Sequence, residues 1–296
     1  MSETLTPLSP TPMGSAPVTH APRAMLQRWI GVLPPAGWAV LAIVLACVFG
    51  PALLPFPATE LNAGAPFEGP SATHWFGTDD LGRDMLARTL TGGQLSLTIG
   101  VGATAISVLL GMLWGMTAAA YGGWVDTVLM RLGDAAMAIP QILFALVCVA
   151  AFRPTAASMT IVIGLLLSPT TARLVRSASV SELAGDYVVA ARAVGQTRGR
   201  IMLTEIAPNV TPVVMVQAAI NMVEAIMLEA TLSFVGLGIQ PPDASWGTLL
   251  LQGYSKMYNS AWLMVFPALM MIVSLVSLTF LSEQIGRRLE KTGTPA

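Results

Sequence analysis

The chain has 296 residues, of which 54% are hydrophobic and 10% charged, with a formal net charge of −1 and a mean hydropathy of +0.68. Soluble domains carry about 25% charged residues, so a chain this poor in charge could not cover its own surface and reads as an integral membrane protein. The near-neutral balance gives no electrostatic reason for a nucleic-acid partner.

Residues 1–22 are rich in Pro, Ser and Thr. Such a segment cannot bury enough apolar area to offset its ordering entropy, so a disordered tail is expected over 1–28. It lacks the charged start and adjacent apolar run of a cleaved signal peptide, and the first span is expected to be retained. A helix needs about 20 mostly apolar residues to cross the hydrocarbon core. Six stretches qualify: 37–57, 95–119, 129–151, 159–175, 210–235 and 261–281. The expected class is an all-α membrane protein of six transmembrane helices. Its parts are a first span within 29–58, an external segment at 59–93, a membrane core over 94–283 with a polar loop at 177–209, and a tail at 284–296. Pro169 and Pro267 are the expected kinks, which membrane bundles tolerate. Gly100, Gly102, Gly111 and Gly115 in the second stretch permit close helix packing.

Arg and Lys collect on the cytoplasmic side of membrane proteins. With the first residue inside, that side receives eleven: Arg23, Arg28, Arg131, Arg173, Arg176, Arg192, Arg198, Arg200, Arg287, Arg288 and Lys291. The other side receives four, Arg83, Arg88, Arg153 and Lys256. Both termini and the 177–209 loop are therefore expected in the cytoplasm.

On the outer side, Asp79, Asp80 and Asp84 stand with Arg83 and Arg88 just before the second span. Two readings fit. One is a salt-bridged cap that fixes helix entry, favoured because alternating signs within ten residues largely self-neutralise; the other is a contact for an extracytoplasmic partner. Cys47 and Cys148 lie in apolar runs and read as small buried side chains. His20 and His74 lack the neighbours a metal site needs and read as solvated loop residues. No phosphate-cradling G-x-x-x-x-G-K-[ST], H-E-x-x-H or G-x-S-x-G occurs. No catalytic residue and no metal ligand is expected; if the chain drives uphill transport, the energy must enter through a partner.

The polar segment 186–209, DYVVAARAVGQTRGRIMLTEIAPN, is wrong for a span and suited to a docking surface. Tyr187, Ala190, Ala191 and Val194 recur at helical spacing and make one small apolar face. Asp186 can cap the helix start, and Gly195 can take the left-handed conformation that ends it. By spacing alone this is either a helix that fits a groove on another protein or an amphipathic helix lying on the membrane surface.

Ala190-Ala191, three residues, Gly195, then twelve residues to Pro208 resembles the EAA loop of the membrane subunits of bacterial ABC importers. GTDDLGRDML (77–86), YGGWVDTVLMR (121–131) and LSFVGLGIQPPDASWG (232–247) are similar to the dipeptide, oligopeptide and nickel branch of those permeases. The likeness runs over about 74–289. The resemblance implies a type I importer permease fold in the bacterial inner membrane, surrounded by lipid and forming half of a translocation path. It implies a second homologous permease subunit, two ATPase subunits that bind ATP and Mg, and an extracytoplasmic substrate-binding protein. It implies contact with the ATPase through Asp186, Tyr187, Ala190, Ala191, Arg192, Gly195 and Pro208. Three positions depart from the pattern: Val189 replaces the consensus glutamate, Glu205 a frequent histidine, and Ala207 the usual leucine before Pro208. The departures leave open which ionic contact anchors the loop.

Three carboxylates lie in or beside spans, where an acid usually faces a cavity, a bundle interior or a partner. Asp134 is one turn from Arg131, and an intrahelical pair is expected. Glu224 and Glu229 are the candidates for the translocation path. Glu229 also fits a structural role, and Glu224 either lines the path, attracting an amine or cation, or bonds a partner subunit. An ion-coupled secondary transporter relaying protons or sodium through these acids is the competing function.

Overall fold

The structure, a computed structural model, describes residues 35–293; the tail expected at 1–28 lies outside the described residues. Ten α-helices are described: α1 (Pro35–Leu53), α2 (Met85–Tyr121), α3 (Gly123–Met137), α4 (Gln141–Ala151), α5 (Ala156–Glu182), α6 (Asp186–Ala193), α7 (Arg198–Ile201), α8 (Ala207–Leu232), α9 (Trp246–Ser255) and α10 (Trp262–Gly293). Five helical stretches, α1, α2, α5, α7–α8 and α10, are long and apolar enough to cross a membrane.

The expected third span at 129–151 is not one helix. α3 and α4 meet at an 84° bend. Pro140 stands at the break: it has no N–H to give the preceding turn, and it disfavours the helical conformation at Ile139. α5 and α10, with Pro169 and Pro267 inside them, are each continuous helices. The bent pair still returns the chain across the bundle, because α2 and α5 are parallel. Side chains added at Gly102, Gly111 and Gly115 of α2 would meet Thr160, Thr171 and Ala172 of α5 in that same order. In lipid there is no hydrophobic drive between helices, so such close backbone approach supplies the packing. α8 runs antiparallel to α2, with a Cβ on Gly100 meeting Ile226 at 2.9 Å.

α2 has 37 residues, roughly 56 Å at 1.5 Å per residue, well beyond a hydrocarbon core of about 30 Å. Its first turns belong to a compact platform formed with residues 54–84 and α9. Backbone bonds from Asn62 to Leu81, Gly64 to Gly82 and Thr78 to Glu68 fold this segment on itself. Gly77 and Gly82 have φ of +73° and +68°, and a Cβ on either would run into the carbonyl oxygen of Glu68 or Gly64; this is why the GTDDLGR run needs both glycines.

The cap expected at the start of α2 is present. Asp84 is its N-cap and accepts from Ala87 N–H at 2.8 Å. Asp79 accepts from Arg83 Nε at 2.6 Å, and its Oδ2 lies 3.4 Å from Arg88 Nε. Arg88, 2% exposed, also donates to Gln252. Asp80 pairs instead with Lys256, tying in the chain that follows α9. His74 is not a solvated loop residue: it is buried, with Nδ1 2.9 Å from Asp84 Oδ2. Trp246, fully buried, donates its indole N–H to Thr89 O at 3.0 Å and pins α9 to α2.

Candidate functional site

The 186–209 segment sits at the end of the bundle opposite this platform. α6 begins at Asp186, but its N-cap is Gly185, with no side-chain cap bond, so Asp186 is the first helical residue rather than the cap. The far end is a Schellman motif. Gly195 N–H donates to Arg192 O, Gln196 N–H donates to Ala191 O, and Gly195 has φ +81°. A Cβ there would meet nothing within 4 Å, so glycine is required by conformation and not by crowding within this chain.

Two faces of α6 are apolar, and the sequence reading merged them. Val188 and Ala191 pack inward with Met116, Val175, Ile201, Ile206 and Val210, joined by half-buried Tyr187. Asp186, Val189, Ala190 and Ala193, at positions i, i+3, i+4 and i+7, are exposed, and they form the free face. Tyr187 is therefore an anchor. Its hydroxyl donates to Glu182 at the end of α5 and accepts from Asn209 Nδ2 at 3.3 Å. Burial, together with the bond to Glu182, pushes that hydroxyl up to about 12.

After α7 the chain passes through a π turn, Met202–Ile206, into α8. Pro208 lies in the first turn of α8, directly after the π turn. A cavity of about 460 Å³ opens beside α6, lined by Tyr121, Gly122, Leu183, Arg192, Gln196 and Arg198. Its charged lining is basic.

Inside the bundle, two polar clusters join α2 to α8, the first without a carboxylate and the second centred on Glu229. In the first, Asn221 Nδ2 donates to Ser107 Oγ at 3.0 Å and Thr171 Oγ1 at 2.9 Å, while Gln217 donates to Asn221 Oδ1 at 2.7 Å. An amide on an apolar span was the available signal. In the second, Ser96 and Ser233 donate to the two oxygens of Glu229 at 2.8 and 2.7 Å, and Ser96 Oγ accepts the Trp246 N–H at 3.1 Å. Glu229 is fully buried; with both carboxylate oxygens bonded to serines it fastens α2, α8 and α9. Asp134 pairs not with Arg131 but with Arg173 on α5, and Asp126 pairs with Arg176, so α3 is tied to α5 twice. A relay through Asp134 and Glu229 thus has no free carboxylate to use. Glu224 is different. It is half-buried and, among the described residues, has no ion pair or side-chain hydrogen bond.

The family of binding-protein-dependent transport system inner membrane components matches residues 107–291. A dipeptide transport system permease protein of Alkalihalophilus pseudofirmus is 33% identical, with 85% of this chain and 83% of that protein aligned. A Brucella suis protein named for peptide transport as a permease is 35% identical over 92% of this chain and 90% of its own length. Among solved structures, an inward-facing form of the MetNI methionine ABC transporter matches with a TM-score of 0.57 at 17% identity, over 69% of this chain and 97% of that one. An amino acid ABC transporter matches with a TM-score of 0.53 at 16% identity, over 68% and 93%. These two likenesses concern the fold. The helical bundle, its spans and the sequence match agree: the chain belongs to the family of inner membrane components of binding-protein-dependent ABC importers.

Proposed function

We propose that this chain forms half of the translocation path of an ATP-driven importer of peptides or a related small solute such as nickel, with both termini and α6 in the cytoplasm. A second permease subunit completes the path, two ATPase subunits bind and hydrolyse ATP with Mg, and an extracytoplasmic protein delivers the solute. The chain itself carries no catalysis. The observation that carries this reading is the division of labour on α6. One face is fixed to the ends of α2, α5 and α8, and the opposite face is free, with small apolar Val189, Ala190 and Ala193 behind Asp186 at the helix start. A helix so held transmits a push on its free face directly into three spanning helices, and a smooth face suits a groove on a partner.

ATP binding closes the ATPase pair and moves α6; the bundle rocks from inward-open to outward-open, and the binding protein releases its solute into the opening. With valine at position 189, the ionic anchor falls to Arg192 and Arg198 on the basic cavity, which calls for carboxylates on the ATPase surface. The orientation is tested by single cysteines in a cysteine-free background. An impermeant thiol reagent should label position 256 and leave position 198 unlabelled in sealed, right-side-out cells. The reverse pattern would sink the reading.

A further inference from the structure

α8 carries a polar line along one side. Gln217, Glu224 and Thr231 recur every seven residues, about 10.5 Å apart along the axis, and so occupy a narrow sector of the helix. Beside them Val213, Ile220 and Met227 are exposed, while Asn221, Ala225 and Glu229 on the other side are buried. This side of α8 is therefore uncovered by the protomer. Gln217 is engaged with Asn221, and Thr231 with the carbonyl of Met227. Glu224, among the described residues, has no side-chain partner.

A lone carboxylate facing lipid is costly, and such residues turn to water or to a partner instead. Among the described residues, no cation pairs with it. Arg173 and Arg176 are committed to Asp134 and Asp126, and Arg131 lies on α3, which packs on α2 and α5. We propose that Glu224 is a charge filter on the translocation path, favouring solutes of net positive charge over acidic ones. The proposal rests on the reading that the uncovered side of α8 lines the path. A fixed negative charge flanked by apolar Ile220 and Met227 attracts an ammonium or guanidinium group and repels a carboxylate. Because it acts through charge, its effect weakens with salt.

The test uses the intact complex in proteoliposomes, with the binding protein presented already saturated with Ala-Lys, Ala-Ala or Ala-Glu, so that differences in capture cancel. The wild type should take up Ala-Lys faster than Ala-Glu. Glu224→Gln should lower that ratio about tenfold, the factor that a 1.4 kcal/mol difference sets, leave Ala-Ala nearly unchanged, and keep the complex whole on a sizing column. Glu224→Asp should retain the preference, and added salt should erode it in the wild type and not in Glu224→Gln. An unchanged ratio in an intact Glu224→Gln complex would overturn the filter. So would disassembly of that variant, which would assign Glu224 to pairing with a neighbouring subunit. Failure of the wild type to take up any of the three would overturn the peptide reading itself, and the filter with it.

Discussion

The two ends of this bundle are built on opposite terms. At the platform, Asp79, Asp84, Arg83, Arg88 and His74 are all buried, and each has a partner within the chain. At the other end, Arg192, Arg198 and Arg200 are exposed, and Val189 and Val194 are 61% and 77% exposed. Buried charges are stable only when paired, so the platform is complete in itself. Exposed aliphatic residues on a short helix, among arginines that form no ion pair within the described residues, are incomplete alone. The contrast separates a region whose charges are satisfied within the chain from the one proposed to receive the ATPase, and each variant below breaks or sharpens it.

The largest effect on the fold is expected at the platform. Asp79→Ala strands two buried arginines, which typically costs about 3–5 kcal/mol. The thermal midpoint of the purified complex should fall steeply or assembly should fail; a midpoint near wild type would show that the charges are not what holds this end. At the other end, Gly195→Asp should abolish ATP-dependent uptake while the chain still inserts. The cost to the fold is only about 1–2 kcal/mol for a left-handed non-glycine residue, since no atom of this chain obstructs the site. Uptake and stimulated ATPase activity both at wild-type level would remove the segment from coupling.

The bundle interior lies between these cases. Asn221→Ala unmakes bonds to Ser107 and Thr171, and hydrogen bonds between spanning helices average about 0.6 kcal/mol with a maximum near 1.7. The expected drop in midpoint is therefore smaller than that of Asp79→Ala; an equal drop would make the interior, not the platform, the keystone. Val189→Glu, which restores the residue the family pattern carries, touches nothing buried and should change stability by no more than about 0.5 kcal/mol. Its effect should appear instead in the affinity of the ATPase subunits, read by co-purification.

The smallest effect is the Asp80–Lys256 link. Burial raises the Asp80 carboxyl, but the bond and charge of Lys256 outweigh it and hold the group below its ordinary value. A depressed carboxyl contributes stability above its unfolded value, and the contribution is lost as pH falls through the folded one. The midpoint difference between wild type and Lys256→Met should therefore be constant above about pH 5 and shrink below about pH 4. For a partly exposed pair it should stay under about 1 kcal/mol. A difference that grew on acidification would contradict the assignment.

Most of the spans were legible because membrane crossing demands length and apolarity, which composition records directly. The exception at 129–151 turned on Pro140, which interrupts a run that hydropathy alone reads as continuous. At the platform, GTDDLGRDML signalled a cap, yet the burial of His74 depends on Asp84 accepting from it across a fold that no local pattern encodes. On α6 the spacing found a small-residue helix but not its free side, because Tyr187–Ala191 and Ala190–Val194 are both apolar pairs one turn apart. Only the neighbours Val175, Ile206 and Val210 decide which one is covered. Glu229 and Glu224 were both candidates for the path, with a structural role open for Glu229; the serines at 96 and 233 take up both oxygens of Glu229.

The claim that the free face of α6 receives the ATPase is tested most directly by cross-linking in the assembled complex. In a cysteine-free background, Val189→Cys should cross-link to an ATPase subunit through a short bifunctional reagent, and Tyr258→Cys, 98% exposed beyond α9 at the platform end, should not. A cross-link at position 258 with none at 189, in a complex that still hydrolyses ATP, would contradict the account.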